Sequence, residues 1–222
     1  MTYRSDDEIK RDVTHQLGWD TRVRQTEIGV AVVKGVVTLT GTVDNYAKKF
    51  AAQETAHSVR GVHDVANDIE VKIPGSSYRT DAEIAQAVRS ALEWDVLVPA
   101  DQIFSTVTDG WVALEGKVEH YSERLDAERA VRNLAGVRGV TNTISVSTPV
   151  DPEKIKYLIE DILEVRADRE AKHINVKVED GEVTVIGAVN SWAEKKAIVG
   201  AIEHSPGVTA IRDHLYVAPY RL

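Results

Sequence analysis

Histidines and carboxylates are the residues of this sequence that would carry metal or acid–base chemistry, and their spacing argues against both. No histidine pair has the H-x-x-x-H or H-E-x-x-H spacing of a metal site. The seven histidines are scattered along the chain, at His15, His57, His63, His120, His173, His204 and His214. With no cysteine, thiolate sites and disulfides are excluded. No nucleophile elbow or phosphate-binding loop is present. The sequence therefore predicts a protein that is not an enzyme and has no metal or cofactor.

Tryptophans offer binding chemistry instead. Trp19 and Trp94 occupy equivalent positions just after a predicted helix, while a third copy of the pattern has Val165 there. Beside Trp94, the aliphatic residues Val96 and Leu97 would allow an amphipathic ring to enter a lipid headgroup layer. The alternative is that both rings seal the end of a small core or a contact between copies, as scattered apolar residues usually do.

Trp111 breaks the pattern of its strand. It replaces Val36 and Glu182 at a position expected to point away from Val112, so we expect it to cover the open face of a sheet or to contact another copy. The candidate residues for lipid or partner contact are Trp19, Trp94, Val96, Leu97 and Trp111. A second set of aromatics recurs in every copy, and it predicts a packing role for Tyr46, Tyr121 and Trp192.

These residues are positioned by a threefold internal repeat. The pattern G-x-V-x-[LV]-x-G-x-V begins at Gly35, Gly110 and Gly181, and another glycine follows each occurrence after the next helix. The repeated glycines are expected to serve backbone structure; they are Gly35, Gly41, Gly61, Gly110, Gly116, Gly136, Gly181, Gly187 and Gly207.

Each copy predicts the same order of elements. Ser5-Asp6-Asp7-Glu8 and Thr80-Asp81-Ala82-Glu83 are capping boxes that begin a helix, and Asp151-Pro152-Glu153 begins the third. Two alternating strands follow, joined at Lys34-Gly35, Asp109-Gly110 or Asp180-Gly181, where a tight hairpin turn needs positive φ. A second helix then starts near Asn45, His120 or residue 191 and ends at a glycine. A last strand is expected over 65–71, 140–146 and 211–217.

The sequence thus predicts an α+β fold of three tandem αββαβ modules, each a three-stranded sheet with two helices on one face. Their expected bounds are residues 1–75, 76–149 and 150–222, with short Pro-, Gly- and Ser-containing linkers between them.

Charge and hydropathy narrow the expected partners. Net charge is −8, and residues 1–75, 76–150 and 151–222 contribute −1, −4 and −3, so no module has the basic excess that attracts nucleic acid. No apolar run is typical of a secretory signal or of a membrane span. A cytoplasmic location is therefore expected.

These motifs resemble the BON domain family, whose hallmark adds G-V-x-x-V-x-N-x-[LI]-x-V to the hairpin pattern. Residues 61–71 and 136–146 fit it closely, whereas the third copy has Asp213 in place of the asparagine. The resemblance implies attachment to phospholipid surfaces, ion sensing or protein interaction, without catalysis.

We accordingly expect a non-catalytic binding or adaptor protein that attaches to a membrane phospholipid surface or a protein partner in a stress-related role. The alternative is a sensor that binds potassium through oxygen ligands. The oligomeric state and the arrangement of the three modules stay open.

Overall fold

A computed structural model describes residues 4–23, 28–148, 151–166, 174–189 and 192–217. Within them the chain forms three separate mixed sheets, and two helices belong to each. The predicted α+β class and the three αββαβ modules are confirmed.

The first module contains five elements. They are α1 (Asp6–Trp19), β1 (Ile28–Val33), β2 (Val36–Val43), α2 (Tyr46–His57) and β3 (Asp64–Val71).

The second and third modules repeat this order. The second has α3 (Asp81–Trp94), β4 (Ile103–Thr108), β5 (Trp111–Val118), α4 (Tyr121–Arg132), β6 (Gly139–Asn142) and β7 (Ser145–Val146). The third has α5 (Pro152–Arg166), β8 (Asn175–Glu179), β9 (Glu182–Val189), α6 (Trp192–Glu203) and β10 (Ala210–Val217).

In each module the second strand is central. β1 pairs with β2 antiparallel, with Val33 opposite Val36, and β2 pairs with β3 parallel. The third module has the same arrangement, with β9 between β8 and β10. A long connection containing the second helix is required, because parallel neighbours cannot be joined by a tight turn.

One face of each sheet is buried under the helices. In the first module the α1 residues Ile9, Val13 and Leu17 lie in one cluster with Val37 and Leu39 of β2. The intervening β2 positions point the other way and are half-buried or exposed. The third module has its own cluster of the same kind, which includes Ile155, Ile159, Val183, Val185, Ile202 and Leu215.

Local signals place the helix starts as expected. The Ser5 side chain accepts from the backbone N–H of Glu8, whose carboxylate accepts from the backbone N–H of Ser5 at 2.8 Å. Thr80 and Glu83 form the same reciprocal pair, and the Asp151 carboxylate accepts from the N–H of Lys154 at 3.1 Å. These bonds satisfy backbone donors that a first helical turn otherwise leaves free.

The hairpin turns also match their prediction. Lys34 and Gly35 have φ values of 52° and 77°, and the Asp-Gly pairs of the other modules have nearly the same values. All nine motif glycines have positive φ. At Gly116 there is a steric reason as well, because a Cβ atom there would lie 2.2 Å from the carbonyl oxygen of Gln102.

The last strand of the second module differs from the prediction of one strand over 140–146. It is divided into β6 and β7, both beside β5. Between and within them, the hydroxyls of Thr143 and Ser145 donate to the carbonyl oxygens of Leu114 and Gly116, at 2.9 and 3.0 Å. Side-chain hydroxyls that bond to backbone groups compete with regular ladder bonds.

The chain divides into two compact units. One comprises residues 1–87, 107–112 and 131–140, and the other comprises 88–106, 113–130 and 141–222. The second module therefore contributes residues to both units.

Candidate functional site

The second module presents three exposed apolar side chains where α3 ends. Trp94, Val96 and Leu97 are 86%, 96% and 61% exposed. Exposed fractions this high in neighbouring residues mean that the side chains project from the surface. We call these three residues the apolar tip.

The apolar tip is held by buried residues on both sides. Leu92 on α3 is 1% exposed, and Val98 and Ala100 after the tip are each 8% exposed. The segment therefore enters and leaves the core within a few residues, which fixes the tip between two anchors.

Hydrogen bonds within the turn pair three of its backbone donors. The N–H of Asp95 donates to the carbonyl of Ala91 at 3.3 Å, and the N–H of Val98 donates to the carbonyl of Asp95 at 3.1 Å. The Asp95 carboxylate accepts from the N–H of Leu97 at 3.0 Å. Because these donors are already paired, the turn can leave water at a smaller desolvation cost than an open loop.

The charges near the apolar tip are mainly acidic. Residues 88–106 include one cation, Arg89, and three acids, Glu93, Asp95 and Asp101. Arg89 Nε donates to the Glu93 carboxylate at 2.6 Å, and its Nη1 donates to the carbonyl of Ala100 at 3.0 Å. Asp101 is exposed. The guanidinium of Arg89 is thus engaged with protein groups beside the tip.

The equivalent turn of the first module is polar. Trp19 is 75% exposed, and its Nε1 donates to Nε2 of His15 at 2.9 Å. Where the second module has Leu97, the first has Arg22, which contacts the Asp20 carboxylate at 2.8 Å and that of Glu54 at 3.1 Å.

Asp20 is the most strongly perturbed carboxylate of this turn. The hydrogen bond from Arg22 lowers the pKa of Asp20 to about 2, and a hydrogen bond from Thr55 at 2.6 Å acts in the same direction. Asp20 is therefore an anion with a structural task at neutral pH, and this turn offers one exposed ring rather than an apolar surface.

The two tryptophans that end α1 and α3 do not seal a core, since they are 75% and 86% exposed. Neither ring is therefore buried in the core of its module, one of the two packing roles expected for it. The side chain of Val165, the third equivalent, and all of His173 lie outside the described part of the chain.

Trp111 lies on a different element. It is the first residue of β5, is 54% exposed, and points to the open face of the sheet while Val112 is buried. A Cβ atom on Gly139 of β6 would lie 2.2 Å from the Trp111 ring, so the ring packs directly against this glycine. Trp111 thus covers part of the open sheet face, one of the two positions expected for it.

Possible metal ligands do not cluster in the described residues. Among them, no three histidines or carboxylates come together as metal ligands, and no helix is long and apolar enough to cross a membrane. An open groove of about 500 Å³ lies beside β4 and β5, and its lining includes Phe104, Lys117 and Glu119. A single pair of exposed charges on an open surface is not the enclosed, convergent arrangement of an acid–base site.

Asp6 and Asp81 connect the first helix to the hairpin turn in the first and second modules, and the sequence indicated them only as helix-start residues. The carboxylate of Asp6 accepts from the backbone N–H groups of Lys34 and Gly35, at 2.8 and 2.9 Å. Asp81 accepts from Asp109 and Gly110 in the same way. The signal was an aspartate at the first helical position in two copies, where the third has Pro152.

The asparagine of the last strand connects that strand to the second helix. Asn67 donates to the carbonyl of Lys49 at 3.1 Å and accepts from the N–H of Ile69 at 3.3 Å. Asn142 makes the same two bonds with Arg124 and Ile144. This explains why an amide, which both donates and accepts, stands at this position of the motif.

In the third module Asp213 replaces this asparagine, and a lysine supplies the missing donor. Lys195 Nζ contacts the Asp213 carboxylate at 2.9 Å and donates to the carbonyl of Leu215 at 2.6 Å. The carboxylate still accepts from the N–H of Leu215 at 2.9 Å. The connection between helix and strand is therefore kept by an ion pair instead of an amide.

The family model described as "BON domain" matches residues 5–73, 80–148 and 151–219. The chain belongs to the BON domain family. Its three modules are therefore BON domains.

A curated relative of these BON domains is "Osmotically-inducible protein Y" of Escherichia coli (strain K12). It is 30% identical over 126 residues, which span 55% of this chain and 63% of that protein. The match thus covers less than two thirds of the relative's length.

Solved structures resemble the chain only distantly. CdsD, described as a structural protein of the Type III secretion system of Chlamydia trachomatis, aligns with 13% identity over 96% of this chain and 94% of that one, at a TM-score of 0.28. A second structure, the C-terminal domain of CdsD, aligns with 12% identity over 97% of this chain and 100% of that one, at a TM-score of 0.27. Overlaps this low carry no functional argument.

Proposed function

We propose that this triple-BON protein is a non-catalytic binding protein that attaches to a phospholipid surface through the apolar tip of its second module. The observation that carries the proposal is the exposure of Trp94, Val96 and Leu97 on a hydrogen-bonded turn. A tryptophan beside aliphatic residues is suited to the boundary between headgroups and acyl chains.

A lipid surface suits this turn better than a protein surface. A stable protein interface generally buries about 800 Å² on each partner, more than three projecting side chains supply. A bilayer accepts a projection without a complementary cavity, provided that the inserted backbone donors are satisfied. The N–H groups of Asp95, Leu97 and Val98 meet that condition.

The attachment is expected to be weak and reversible. Full burial of a valine or leucine side chain contributes about 1.5 to 3 kcal/mol, and insertion at the interface achieves only part of that. The chain's net charge of −8 adds no general attraction to anionic lipid.

Co-sedimentation with phosphatidylcholine vesicles tests the proposal. Val96→Thr/Leu97→Thr should weaken binding at least about tenfold, because two aliphatic side chains no longer leave water. Threonine is tolerated in such a turn, since the first module has Thr21 where the second has Val96. The emission of wild-type protein should shift to the blue with vesicles, and Trp94→Phe should remove that shift.

The matched control is Val33→Thr/Val36→Thr. These valines of the first module are 66% and 40% exposed and lie at the hairpin between β1 and β2. The control should bind as the wild type does. If wild-type protein sediments with neither neutral nor anionic vesicles, lipid attachment is refuted. A calorimetric heat specific for potassium over sodium would then favour the ion sensor.

The name of the curated relative indicates a cellular role for this chain. Because the chain is similar to an osmotically inducible protein, we propose that it acts in the response to osmotic stress. Its cellular level should rise after an increase in external osmolarity, and an unchanged level on immunoblots would refute this assignment.

A further inference from the structure

We propose that the apolar tip selects electrically neutral phospholipid surfaces and is repelled by anionic ones. This inference rests on the proposed lipid attachment and adds the class of headgroup. It follows from the charges of residues 88–106, the chain segment that carries Trp94, Val96 and Leu97 and approaches the headgroups when those side chains insert.

The acids lie on both sides of the apolar tip. Glu93 comes directly before Trp94, Asp95 separates Trp94 from Val96, and Asp101 follows the buried anchors Val98 and Ala100. The Glu93 side chain is 55% exposed, and Asp101 is also exposed. Insertion of the tip therefore brings carboxylates to the level of the lipid phosphates.

Arg89, the one cation of this segment, is bonded to protein groups through two of its three guanidinium nitrogens. Its Nε is bonded to Glu93 at 2.6 Å, and its Nη1 is bonded to the carbonyls of Ala100 and Ile103, at 3.0 and 3.4 Å. A lipid phosphate that binds Nε or Nη1 would have to displace these partners. With one cation and three acids, residues 88–106 carry a net charge of −2.

This charge is large enough to decide the lipid preference. One elementary charge close to an anionic leaflet changes the affinity about fivefold, and the effect decays over a Debye length of about 10 Å at 0.1 M salt. A weak attachment made by three side chains is readily overcome by such repulsion. Neutral vesicles should therefore be bound at least about tenfold more tightly than anionic ones.

Vesicle composition and two charge variants of the full chain provide the test. Wild type is compared on phosphatidylcholine and on phosphatidylcholine with about one third phosphatidylglycerol. Asp101→Asn should raise the affinity for the anionic vesicles about fivefold and leave binding to neutral ones unchanged. Glu93→Gln should act in the same direction, because it also releases Arg89.

The matched control is Glu153→Gln, which removes one exposed acid from α5, a helix outside the tip. It should change neither affinity. Raising the salt to about 1 M should bring the anionic vesicles close to the neutral ones, because the Debye length then falls to about 3 Å.

The outcomes separate the two proposals. Absence of binding to both vesicles refutes lipid attachment itself. Binding to both with equal or tighter binding to anionic vesicles, or no response to Asp101→Asn, overturns the neutral preference and leaves lipid attachment standing.

Discussion

At the scale of single residues, equivalent positions of the repeat have been put to different uses. The turn after the first helix contains Arg22 in one module and Leu97 in the next. Arg22 closes the turn onto Asp20 and Glu54, whereas Leu97 is left exposed beside Val96. One backbone turn thus supports a polar structural cluster in one copy and an apolar surface in the other.

The polar turn of the first module predicts that the stability of the protein depends on pH in the acidic range. Because the folded-state pKa of Asp20 is about 2, below its ordinary value of 3.8, its ionised form stabilises the native state. That contribution is fully present above about pH 4 and is lost as the pH falls from about 4 to about 2. We expect about 1 kcal/mol, since the exposed Arg22 is partly screened by water.

Asp20→Asn should therefore lower the free energy of unfolding by about 1 kcal/mol at pH 7, and the difference from wild type should vanish near pH 2. Urea unfolding at pH 7, 4, 3 and 2 measures this. Arg22→Gln should have the same effect, because it removes the same ion pair. Asp68→Asn is the control: Asp68 is exposed on β3, so this variant should have the wild-type free energy of unfolding at each pH. A constant deficit of Asp20→Asn across this range would contradict the assignment.

The sequence indicated the tip but not its exposure. The residue types and their spacing in the sequence predicted that Trp94, Val96 and Leu97 lie together. They left open whether the Trp94 ring is buried. A periodic pattern reports which residues share a face, but exposure at the end of an element depends on what the chain packs there. Asp95, which holds the turn, lies between the apolar residues and carries no periodic signal.

At the scale of elements, the hairpins show which features local sequence predicts and which depend on the whole fold. Positive φ at Lys34-Gly35 and at the two Asp-Gly pairs follows from turn chemistry alone. The bonds from Asp6 to that turn join residues 28 and 29 positions apart, so they depend on the fold. Local chemistry also did not predict the division of the last strand of the second module, where the hydroxyls of Thr143 and Ser145 take backbone acceptors.

Asp6 should therefore stabilise the first module beyond its effect on the helix. Asp6→Ala leaves the N–H groups of Lys34 and Gly35 without their acceptor and should cost about 1 to 3 kcal/mol. Hydrogen exchange at these two amides should accelerate, and chemical denaturation should report the loss of stability.

Asp7→Ala is the matched control for this change. Asp7 is the next residue of α1, carries the same charge near the helix start and is exposed. It should keep the turn amides protected and cost only a few tenths of a kcal/mol, as surface charges near a helix end do. Equal effects of the two substitutions would mean that Asp6 acts only through its charge near the start of α1.

At the scale of the molecule, α4 of the second module contacts a neighbouring module within each compact unit. In one unit the Arg132 guanidinium of α4 lies over the Phe50 ring of α2, 4.1 Å from its centroid. In the other, Tyr121 of α4 packs against the core cluster of the third module. Phe50 corresponds to Leu125 and to Lys196 in the other copies, so each junction has its own residues.

These junctions limit what the sequence alone could predict. Recurrence of an aromatic at Tyr46, Tyr121 and Trp192 predicted a packing role, and Tyr121 confirms it. Periodicity within a module could not identify the partner as the next module, because a repeat carries the same signal whether its copies touch or not. The cytoplasmic location stays a prediction, and the ligand and the oligomeric state stay open.

Tyr121 gives this coupling a direct test. It begins α4 of the second module, yet it packs against the cluster formed by Val183, Ile198 and Leu215 of the third, and burial raises the pKa of its phenol. Because the ring is only partly buried, Tyr121→Ala should cost about 1 to 2 kcal/mol. It should also lower the hydrogen-exchange protection of β9 and β10, although neither strand is changed. Tyr157→Ala is the matched control, because Tyr157 belongs to the third module itself but is 68% exposed. If the second and third modules are coupled, Tyr121→Ala will destabilise the third module more than Tyr157→Ala does. Full protection of β9 and β10 in Tyr121→Ala would mean that the modules are energetically independent.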